Sequence, residues 1–310
     1  MPISRRTFHK TMALSALAAT DITIAGNSQS KIRLGGPIFE NAADPEAWAK
    51  AHRALGYSAA YCPLNYHDSA EQKRAFAEAA RQNDLLIAEV GAWSNPISSN
   101  KEESQAAIMK NIEALALAEE VGALCAVNIA GSRGEDWAGI HPLNTSDETF
   151  EMVVAAVRHI IDSVKPTRAF YTLETMPYTI PDSPDVYLSL IKAIDRRQFA
   201  CHLDPVNLIN SPRRFYNNGE LIRECFKKLG PYIKSCHAKD VALQNKALVH
   251  LDEVIPGQGG LNYAVLLSEL SKLPGAAVLM LEHLQTAEEY QQAANYIRQV
   301  ASREGVQLYS

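Results

Sequence analysis

Short apolar runs alternate with longer segments in which apolar residues recur every three or four positions, from about residue 30 to the end of the chain. A short apolar run indicates a buried strand, and three-to-four spacing indicates an amphipathic helix. Strands are predicted at 31–36, 58–63, 85–92, 123–130, 168–175, 199–205, 233–238 and 276–283. Helices are predicted near 45–54, 69–82, 103–120, 148–164, 184–194, 219–229, 261–272 and 286–303.

This alternation of strand and helix predicts parallel βαβ units. Eight units fit a single α/β domain over residues 31–310, a (βα)8 TIM barrel. A doubly wound open sheet would alternate in the same way and is the alternative. It is the weaker one, because no GxGxxG motif follows the first predicted strand.

The amino terminus has a different pattern. Ser4-Arg5-Arg6-Thr7-Phe8 precede a short apolar stretch at 12–19, which is typical of a cleavable signal peptide. The paired arginines resemble a twin-arginine export signal. The stretch is far shorter than the roughly 20 residues that a membrane span requires. We therefore expect residues 1–30 to be a signal peptide and linker, and the protein to be periplasmic or otherwise exported. A disordered basic arm is the alternative.

Composition narrows the function classes. An apolar fraction of 47% and a charged fraction of 21% are typical of a globular protein with a sizeable core. A net charge of −5 argues against a nucleic-acid partner, which usually requires a basic surface. The five cysteines are an odd number without CxxC spacing, so no disulfide framework is expected. A homo-oligomer is compatible with this composition.

Four side chains of metal-binding type stand at the ends of successive predicted strands. They are Glu174, Asp204, His237 and Glu282. In a barrel the carboxyl ends of the strands meet at one face, so these side chains are expected to converge. Three carboxylates and one imidazole suit one divalent ion, Mn²⁺, Mg²⁺, Co²⁺ or Zn²⁺. Without a cation, three buried carboxylates would repel one another.

Strand alternation places further residues on the same inward face. They are Thr172, His202, Ser235 and Met280. His202 is therefore expected to support the site rather than to bind the ion. His283 is expected to point away from the barrel interior. Three long connections, 131–147, 206–218 and 239–260, follow predicted strands, and long loops at this face are usually functional.

Five short motifs carry a more specific signal. They are Leu-Glu at 173–174, His-Leu-Asp-Pro-Val-Asn at 202–207, Cys-His-Ala-Lys-Asp at 236–240, Pro-Gly-Gln-Gly-Gly-Leu-Asn-Tyr at 256–263 and Leu-Glu-His at 281–283. In this order they resemble the xylose isomerase-like TIM-barrel superfamily, and most closely the sugar phosphate isomerase/epimerase family, which includes tagatose 3-epimerase. The resemblance covers roughly residues 31–305.

The resemblance implies a chemistry for these residues. It implies that Glu174, Asp204, His237 and Glu282 bind one divalent metal, and that Glu174 and Glu282 move protons on opposite faces of a bound sugar. The implied activity is a metal-dependent sugar isomerase or epimerase that converts a keto-sugar through an enediolate.

Two departures from the epimerases of that family argue against 3-epimerisation of a free ketose. Asn207 stands where they carry a histidine, and no further glutamate follows Glu174 closely. The alternative is a lyase or hydratase acting on 3-keto-glycosides or their elimination products. A non-catalytic sugar-binding protein and a metal endonuclease are weaker alternatives.

Further residues are predicted to contact the sugar. The candidates for hydroxyl contacts are Glu89, Asn128, His141, Asn207 and Lys239, and Trp137, Tyr178 and Phe215 are candidates to stack on a sugar face. Lys239 is expected to point inward, toward a ligand carboxylate or a substrate oxygen.

Overall fold

A computed structural model describes residues 30–40, 43–275 and 277–309. The strands are β1 (Ile32–Gly35), β2 (Ala59–Tyr61), β3 (Leu86–Gly91), β4 (Cys125–Asn128), β5 (Phe170–Glu174), β6 (Phe199–Leu203), β7 (Ile233–Ala238), β8 (Asp240–Leu243), β9 (Leu251–Val254) and β10 (Ala277–Leu281). Of the predicted signal segment, residues 1–29 lie outside the described residues. No helix within the described ranges is long and apolar enough to cross a membrane.

Eight parallel strands close into one barrel, in the order β1-β10-β7-β6-β5-β4-β3-β2. The predicted (βα)8 barrel is therefore confirmed, and the open-sheet alternative is wrong. The helices are α1 (Pro45–Ala54), α2 (Ala70–Gln82), α3 (Lys101–Val121), α4 (Asp147–Val164), α5 (Pro184–Ile194), α6 (Pro212–Tyr216), α7 (Asn218–Leu229), α8 (Tyr263–Leu270) and α9 (Ala287–Arg303). Two 3₁₀ helices, η1 (Pro142–Thr145) and η2 (Gly230–Tyr232), complete the fold.

Local capping sets the ends of the longer helices. The Asn100 side chain accepts hydrogen bonds from the backbone amides of Glu102 and Glu103 in the first turn of α3, and Gly122 ends that helix in the left-handed region, at φ 75°. α9 begins with a capping box, in which Thr286 and Glu289 satisfy each other's backbone amide. These signals explain why the strong periodic segments of the sequence form helices close to their predicted positions.

The long connections after β4, β6 and β7 contain regular structure. Part of 131–147 forms η1, and α6 lies within 206–218. The segment 239–260, predicted as a loop, contains the antiparallel hairpin of β8 and β9, with Asp240 opposite Val254. The hairpin escaped the sequence pattern because its strands are short and β9 is largely exposed.

Asp240 organises the turn that follows this hairpin. Its carboxylate accepts hydrogen bonds from the backbone amides of Gly257, Gly259 and Leu261. A Cβ atom at residue 259 would lie 2.4 Å from Asp240 Oδ1, so only glycine fits there. The glycine-rich motif at 256–263 therefore shapes the backbone.

The apolar core has two parts. The larger part fills the space between the barrel strands and the surrounding helices. A small second cluster occupies the barrel interior and consists of Ala59, Ala88, Val278 and Met280. Met280 was predicted to face inward, beneath the ligand residues, and it does.

Two register shifts change which residues face the barrel interior. Between β2 and β3, Ala60 pairs with Ile87 but Tyr61 pairs with Glu89, so β3 contains one extra residue. Ala88 packs in the interior cluster, and strict alternation would send Glu89 outward. The β-bulge instead turns Glu89 into the interior as well.

The second shift lies between β6 and β7. Cys201 pairs with Ile233, whereas His202 pairs with Ser235, so β7 also has an extra residue. Ile233 belongs to the outer core, and the bulge allows Ser235 to face the interior two positions later. Both shifts lie next to the site described below.

Candidate metal centre and cleft

A cleft of about 850 Å³ opens among the ends of the barrel strands. Glu174, Lys239 and Glu282 are among its lining residues, with Trp137 and Tyr178, two of the predicted stacking residues. Phe215, the third, is not among the lining residues and packs beside Gly260 instead. The cleft therefore combines charged groups with aromatic surfaces.

The four predicted ligand residues converge in this cleft, and we call them the ligand cluster. One ligand atom from each of Glu174, Asp204, His237 and Glu282 lies within 4.8 Å of those of the other three. His237 Nδ1 lies 2.7 Å from Glu282 Oε1, 3.2 Å from Glu174 Oε1 and 3.9 Å from Asp204 Oδ2. Four neighbouring barrel strands, or the residues directly after them, supply these groups.

Lys239 lies in the same cluster of charges. Its Nζ atom is 2.6 Å from Glu282 Oε1, 2.9 Å from Asp204 Oδ2 and 3.7 Å from Glu174 Oε1. Its side chain is almost completely buried and points inward, as alternation along β7 predicts. Lys239 therefore supplies one positive charge against three carboxylates.

The carboxylates respond differently to this environment. Burial opposes the ionisation of Glu174, but the charge and hydrogen bond of His237 outweigh it and hold its pKa below the usual value. The same balance lowers the pKa of Glu282, with Lys239 adding to the effect. For Asp204 burial wins over the attraction of Lys239 and raises its pKa to about 6.

The two basic groups show the reciprocal effect. Burial alone would lower both pKa values. The pKa of Lys239 is nevertheless raised by Asp204, Glu174 and Glu282, and that of His237 by Glu282, Glu174 and Glu89. The ligand cluster is thus a site that strongly favours positive charge.

The ligand cluster fits a divalent cation. Asp204 Oδ2 and Glu282 Oε1 are buried, and neither accepts a well-aligned hydrogen bond from any described residue. Buried polar atoms without a partner are rare in folded proteins. A hard divalent cation takes oxygen ligands, together with the imidazole, and would satisfy both atoms and offset the excess negative charge.

Asn207 contacts the ligand cluster directly. Its Nδ2 donates hydrogen bonds to Glu174 Oε1 at 3.0 Å and to Thr175 O at 3.1 Å. Its backbone amide donates to Asp204 Oδ1 at 3.2 Å. Asn207 lines the cleft, but both hydrogens of its side-chain amide already have acceptors. This arrangement suits holding Glu174 in place better than the predicted contact to a sugar hydroxyl.

Glu89 lies beneath the ligand cluster and is 1% exposed. Its Oε1 accepts from His202 Nε2 at 3.0 Å and from the Ser235 hydroxyl, and its Oε2 lies 3.4 Å from His237 Nε2. Burial opposes its ionisation, but His202 and His237 outweigh burial and keep its pKa below the usual range. Glu89 lines the cleft, but both of its carboxylate oxygens have partners, so its placement suits holding the two histidines better than the predicted contact to a sugar hydroxyl. His202 is placed as predicted, beside the site.

Asn128 and His141 were predicted to contact the sugar, and the structure places neither at the cleft. Asn128 is fully buried and accepts a hydrogen bond from the Ser94 amide. Its neighbours Val127 and Ile129 line the cleft, so alternation turns Asn128 to the other side of the strand. The ring of His141 caps η1 through its Nδ1.

His283 lies at the rim of the cleft, contrary to the expectation that it points away. Its backbone is left-handed, with φ 61°. Its Nδ1 is 3.2 Å from Glu253 Oε2 on β9, and its Nε2 is 3.6 Å from Glu282 Oε2. β10 ends at Leu281, so strand alternation does not extend to residue 283. The only sequence signal was its place in the Leu-Glu-His motif.

Comparisons with known proteins agree with this architecture. The family model for the xylose isomerase-like TIM barrel matches residues 48–300. Among curated proteins, none matches the chain in sequence.

Solved structures share the fold at low sequence identity. A D-psicose 3-epimerase from Clostridium cellulolyticum H10, in a structure with D-tagatose, is 15% identical with a TM-score of 0.64, covering 87% of this chain and 99% of that chain. A 3-keto-D-glucoside 4-epimerase from E. coli is 13% identical with a TM-score of 0.62, covering 87% and 100%. A xylose isomerase-like TIM barrel protein from Mycobacterium smegmatis, in complex with magnesium, is 16% identical with a TM-score of 0.61, covering 89% and 98%.

Proposed function

We propose, given that this chain belongs to the xylose isomerase-like TIM barrel family, that it is a divalent-metal-dependent sugar isomerase or epimerase acting on a keto-sugar. The observation that carries this proposal is the convergence of three carboxylates and one imidazole at a cleft of about 850 Å³. The two epimerases of similar fold act on carbohydrates, which supports a small carbohydrate as the substrate.

The ligand cluster would hold one Mn²⁺, Mg²⁺, Co²⁺ or Zn²⁺ ion. When bound, such an ion stabilises the negative charge that develops on the sugar oxygens as a proton leaves the carbon beside the ketone. The magnesium in a protein of similar fold supports a divalent ion.

Glu174 and Glu282 are proposed to move the protons. Their lowered pKa values keep both carboxylates ionised at neutral pH, so either can accept a proton from the sugar. Return of a proton to the opposite face of the same carbon inverts it, which is epimerisation. Return to the neighbouring carbon is isomerisation.

Lys239 and Asn207 are proposed to assist Glu174 and Glu282, each in a different way. The Lys239 ammonium, 2.6 Å from Glu282, is placed to donate a hydrogen bond to a sugar oxygen that gains charge. Asn207 holds the Glu174 carboxylate in place through its amide. In this account Lys239 contacts substrate and Asn207 acts through Glu174.

A second candidate is a lyase or hydratase acting on 3-keto-glycosides or their elimination products. Loss of a substituent from the carbon next to the enediolate would give elimination from the same site. The cleft favours this candidate because partly exposed Trp93 and Trp137 line it and offer apolar surfaces to a group beyond the sugar ring. The fold shared with a 3-keto-D-glucoside 4-epimerase is also in its favour.

Solvent-deuterium uptake tests both candidates. Keto-sugars and 3-keto-glycosides would be incubated in D₂O with the chelator-treated protein and with protein reloaded with each of the four metals. We expect metal-dependent deuterium incorporation by mass spectrometry, with the product mass separating epimerisation from elimination. A protein that binds none of the four metals and exchanges no substrate proton would refute the proposal and leave a non-catalytic role.

A further inference from the structure

We propose that Glu89 is a positioning residue for His237, fixing its imidazole so that Nδ1 faces the other three members of the ligand cluster. This inference rests on the proposed metal site and adds a residue to it. It replaces the predicted contact between Glu89 and a sugar hydroxyl.

The two ring nitrogens of His237 face different partners. Nδ1 lies 2.7 Å from Glu282 Oε1 and 3.2 Å from Glu174 Oε1, whereas Nε2 lies 3.4 Å from Glu89 Oε2. A neutral imidazole carries one N–H group, and only its other nitrogen can bind a metal. If Nε2 donates its hydrogen to Glu89, the lone pair of Nδ1 is directed at the ligand cluster. A carboxylate in this position also increases the basicity of the ligating nitrogen.

Glu89 is itself held in place by two further groups. His202 Nε2 lies 3.0 Å from Glu89 Oε1, and the Ser235 hydroxyl donates to the same oxygen. We call Glu89, His202 and Ser235 the support cluster. All three are at most 1% exposed, and although Glu89 lines the cleft, both of its oxygens are held by these partners and by His237. The rings of His202 and His237 also meet edge to face, with centroids 4.1 Å apart.

Two β-bulges bring the residues of the support cluster together. The extra residue in β3 brings Glu89 into the barrel interior, and the extra residue in β7 does the same for Ser235. Bulges in parallel pairs are rare, and bulges in general recur beside active sites, where they redirect a side chain. One bulge positions the Glu89 carboxylate, and the other positions the Ser235 hydroxyl that donates to it. Two separate bulges at one hydrogen bond indicate that the position of the carboxylate is specific.

A second metal ion is the main competing occupant, because Glu89, His202 and His237 also place ligand atoms within 4.8 Å of one another. The hydrogen bonding argues against it. Both Glu89 oxygens accept hydrogen bonds, whereas Asp204 Oδ2 and Glu282 Oε1 lie near the Lys239 ammonium but accept no well-aligned hydrogen bond from a described residue. In the support cluster, His202 Nδ1 is the buried side-chain atom that has no hydrogen-bond partner among the described residues. It is not the ring nitrogen that contacts Glu89.

Metal titration tests the inference with a readout other than activity. Competition of Mn²⁺ or Zn²⁺ against a chelating dye would give stoichiometry and Kd for the wild type, Glu89→Gln, Ser235→Ala and the control Glu119→Gln. Glu119 accepts three hydrogen bonds at the opposite end of the barrel. We expect one equivalent of metal, an affinity weakened about 10–100-fold in Glu89→Gln, a smaller loss in Ser235→Ala, and no change in the control.

The outcomes separate this inference from the proposed function. Wild-type protein that binds no metal would refute both. One equivalent of metal with equal affinity in the wild type and in Glu89→Gln would refute only the role of Glu89. Two equivalents in the wild type, with one lost in Glu89→Gln, would identify a second ion instead.

A measurement on the wild type covers the case in which Glu89→Gln does not fold. Long-range ¹H–¹⁵N correlation spectra of the Zn²⁺-loaded protein would report which nitrogen of His237 carries a proton. We expect a protonated Nε2 and a Nδ1 shifted by the metal. A protonated Nδ1 would overturn the inference.

Discussion

Glu282 and Glu174 approach the same ring nitrogen of His237 from strands on opposite sides of β7. Glu282 stands one residue beyond the end of β10, and its side chain is 13% exposed, about twice the exposure of Glu174. The more accessible carboxylate also lies nearer to the His237 and Lys239 nitrogens. It is therefore the better choice for a test of proton transfer.

The change Glu282→Gln removes a proton acceptor and keeps the size of the side chain. We expect deuterium exchange to fall by about 10²–10⁴-fold, the usual contribution of general acid–base catalysis. The barrel should remain folded, because the residue lies outside the strand. Mass spectrometry and thermal unfolding would measure the two effects. Glu78→Gln, on the exposed surface of α2, is the matched control. Full exchange in the Glu282 variant would exclude this residue from catalysis.

The sequence predicts the ligand cluster for a simple reason. Each member is a polar residue at the end of an apolar run, and a closed barrel brings such ends together. Glu89 and Asn128 could not be placed in the same way. One lies beside a bulge that the pattern does not reveal, and the other faces away from the cleft on a strand that is buried on both sides.

At the scale of secondary-structure elements, one carboxylate joins a helix to a strand at the end of the barrel opposite the cleft. Glu119, in the last turn of α3, accepts hydrogen bonds from Thr167 Oγ1 and from the amides of Arg168 and Ala169, just before β5. Burial opposes its ionisation, but these hydrogen bonds outweigh it and lower its pKa from 4.5 to about 2. The ionised form therefore stabilises this junction.

Glu119→Gln should lower the free energy of unfolding by about 2 kcal/mol at neutral pH, the usual scale for hydrogen bonds to a charged group. Because the folded pKa is below the unfolded one, this contribution is complete above pH 4.5 and is lost as the pH falls toward 2. Urea titrations from pH 7 to pH 3 would measure it. A difference between wild type and variant that does not shrink below pH 4.5 would contradict the argument.

The elements themselves were largely predictable. The eight barrel strands and their helices follow from apolar runs and capping residues, because burial against both the interior and the helices demands such runs. The β8–β9 hairpin was not predictable from the sequence, because half-exposed strands of four residues have no pattern that distinguishes them from a loop.

For the whole molecule, the ligand cluster joins β5, β6, β7 and β10, which are consecutive around the barrel. An ion held there would bind only the folded chain and would stabilise it by mass action. The division into a signal segment at 1–30 and a barrel at 31–310 stays a prediction. Export to the periplasm and assembly into a homo-oligomer also stay predictions.

Removal of the metal should therefore lower Tm. At a metal concentration 100 times Kd the stabilisation is about 2.7 kcal/mol, which corresponds to roughly 5–10 °C for a domain of this size. Differential scanning fluorimetry with Mn²⁺ and with excess chelator would measure the shift. The Asp204→Asn variant should show little metal-dependent shift in Tm, because it has lost one of the charged groups that would bind the metal. Equal Tm values for the wild type in both conditions would argue against a bound metal.

The bulge in β3 has a consequence for how such a barrel can gain or lose chemistry. Without the bulge, Ala88 would pair with Tyr61 and Glu89 would face outward, away from the histidines, although no letter of the strand had changed. Strand register can thus act as a switch that residue identity does not record. Two relatives with the same glutamate can differ in metal affinity because only one of them carries the bulge.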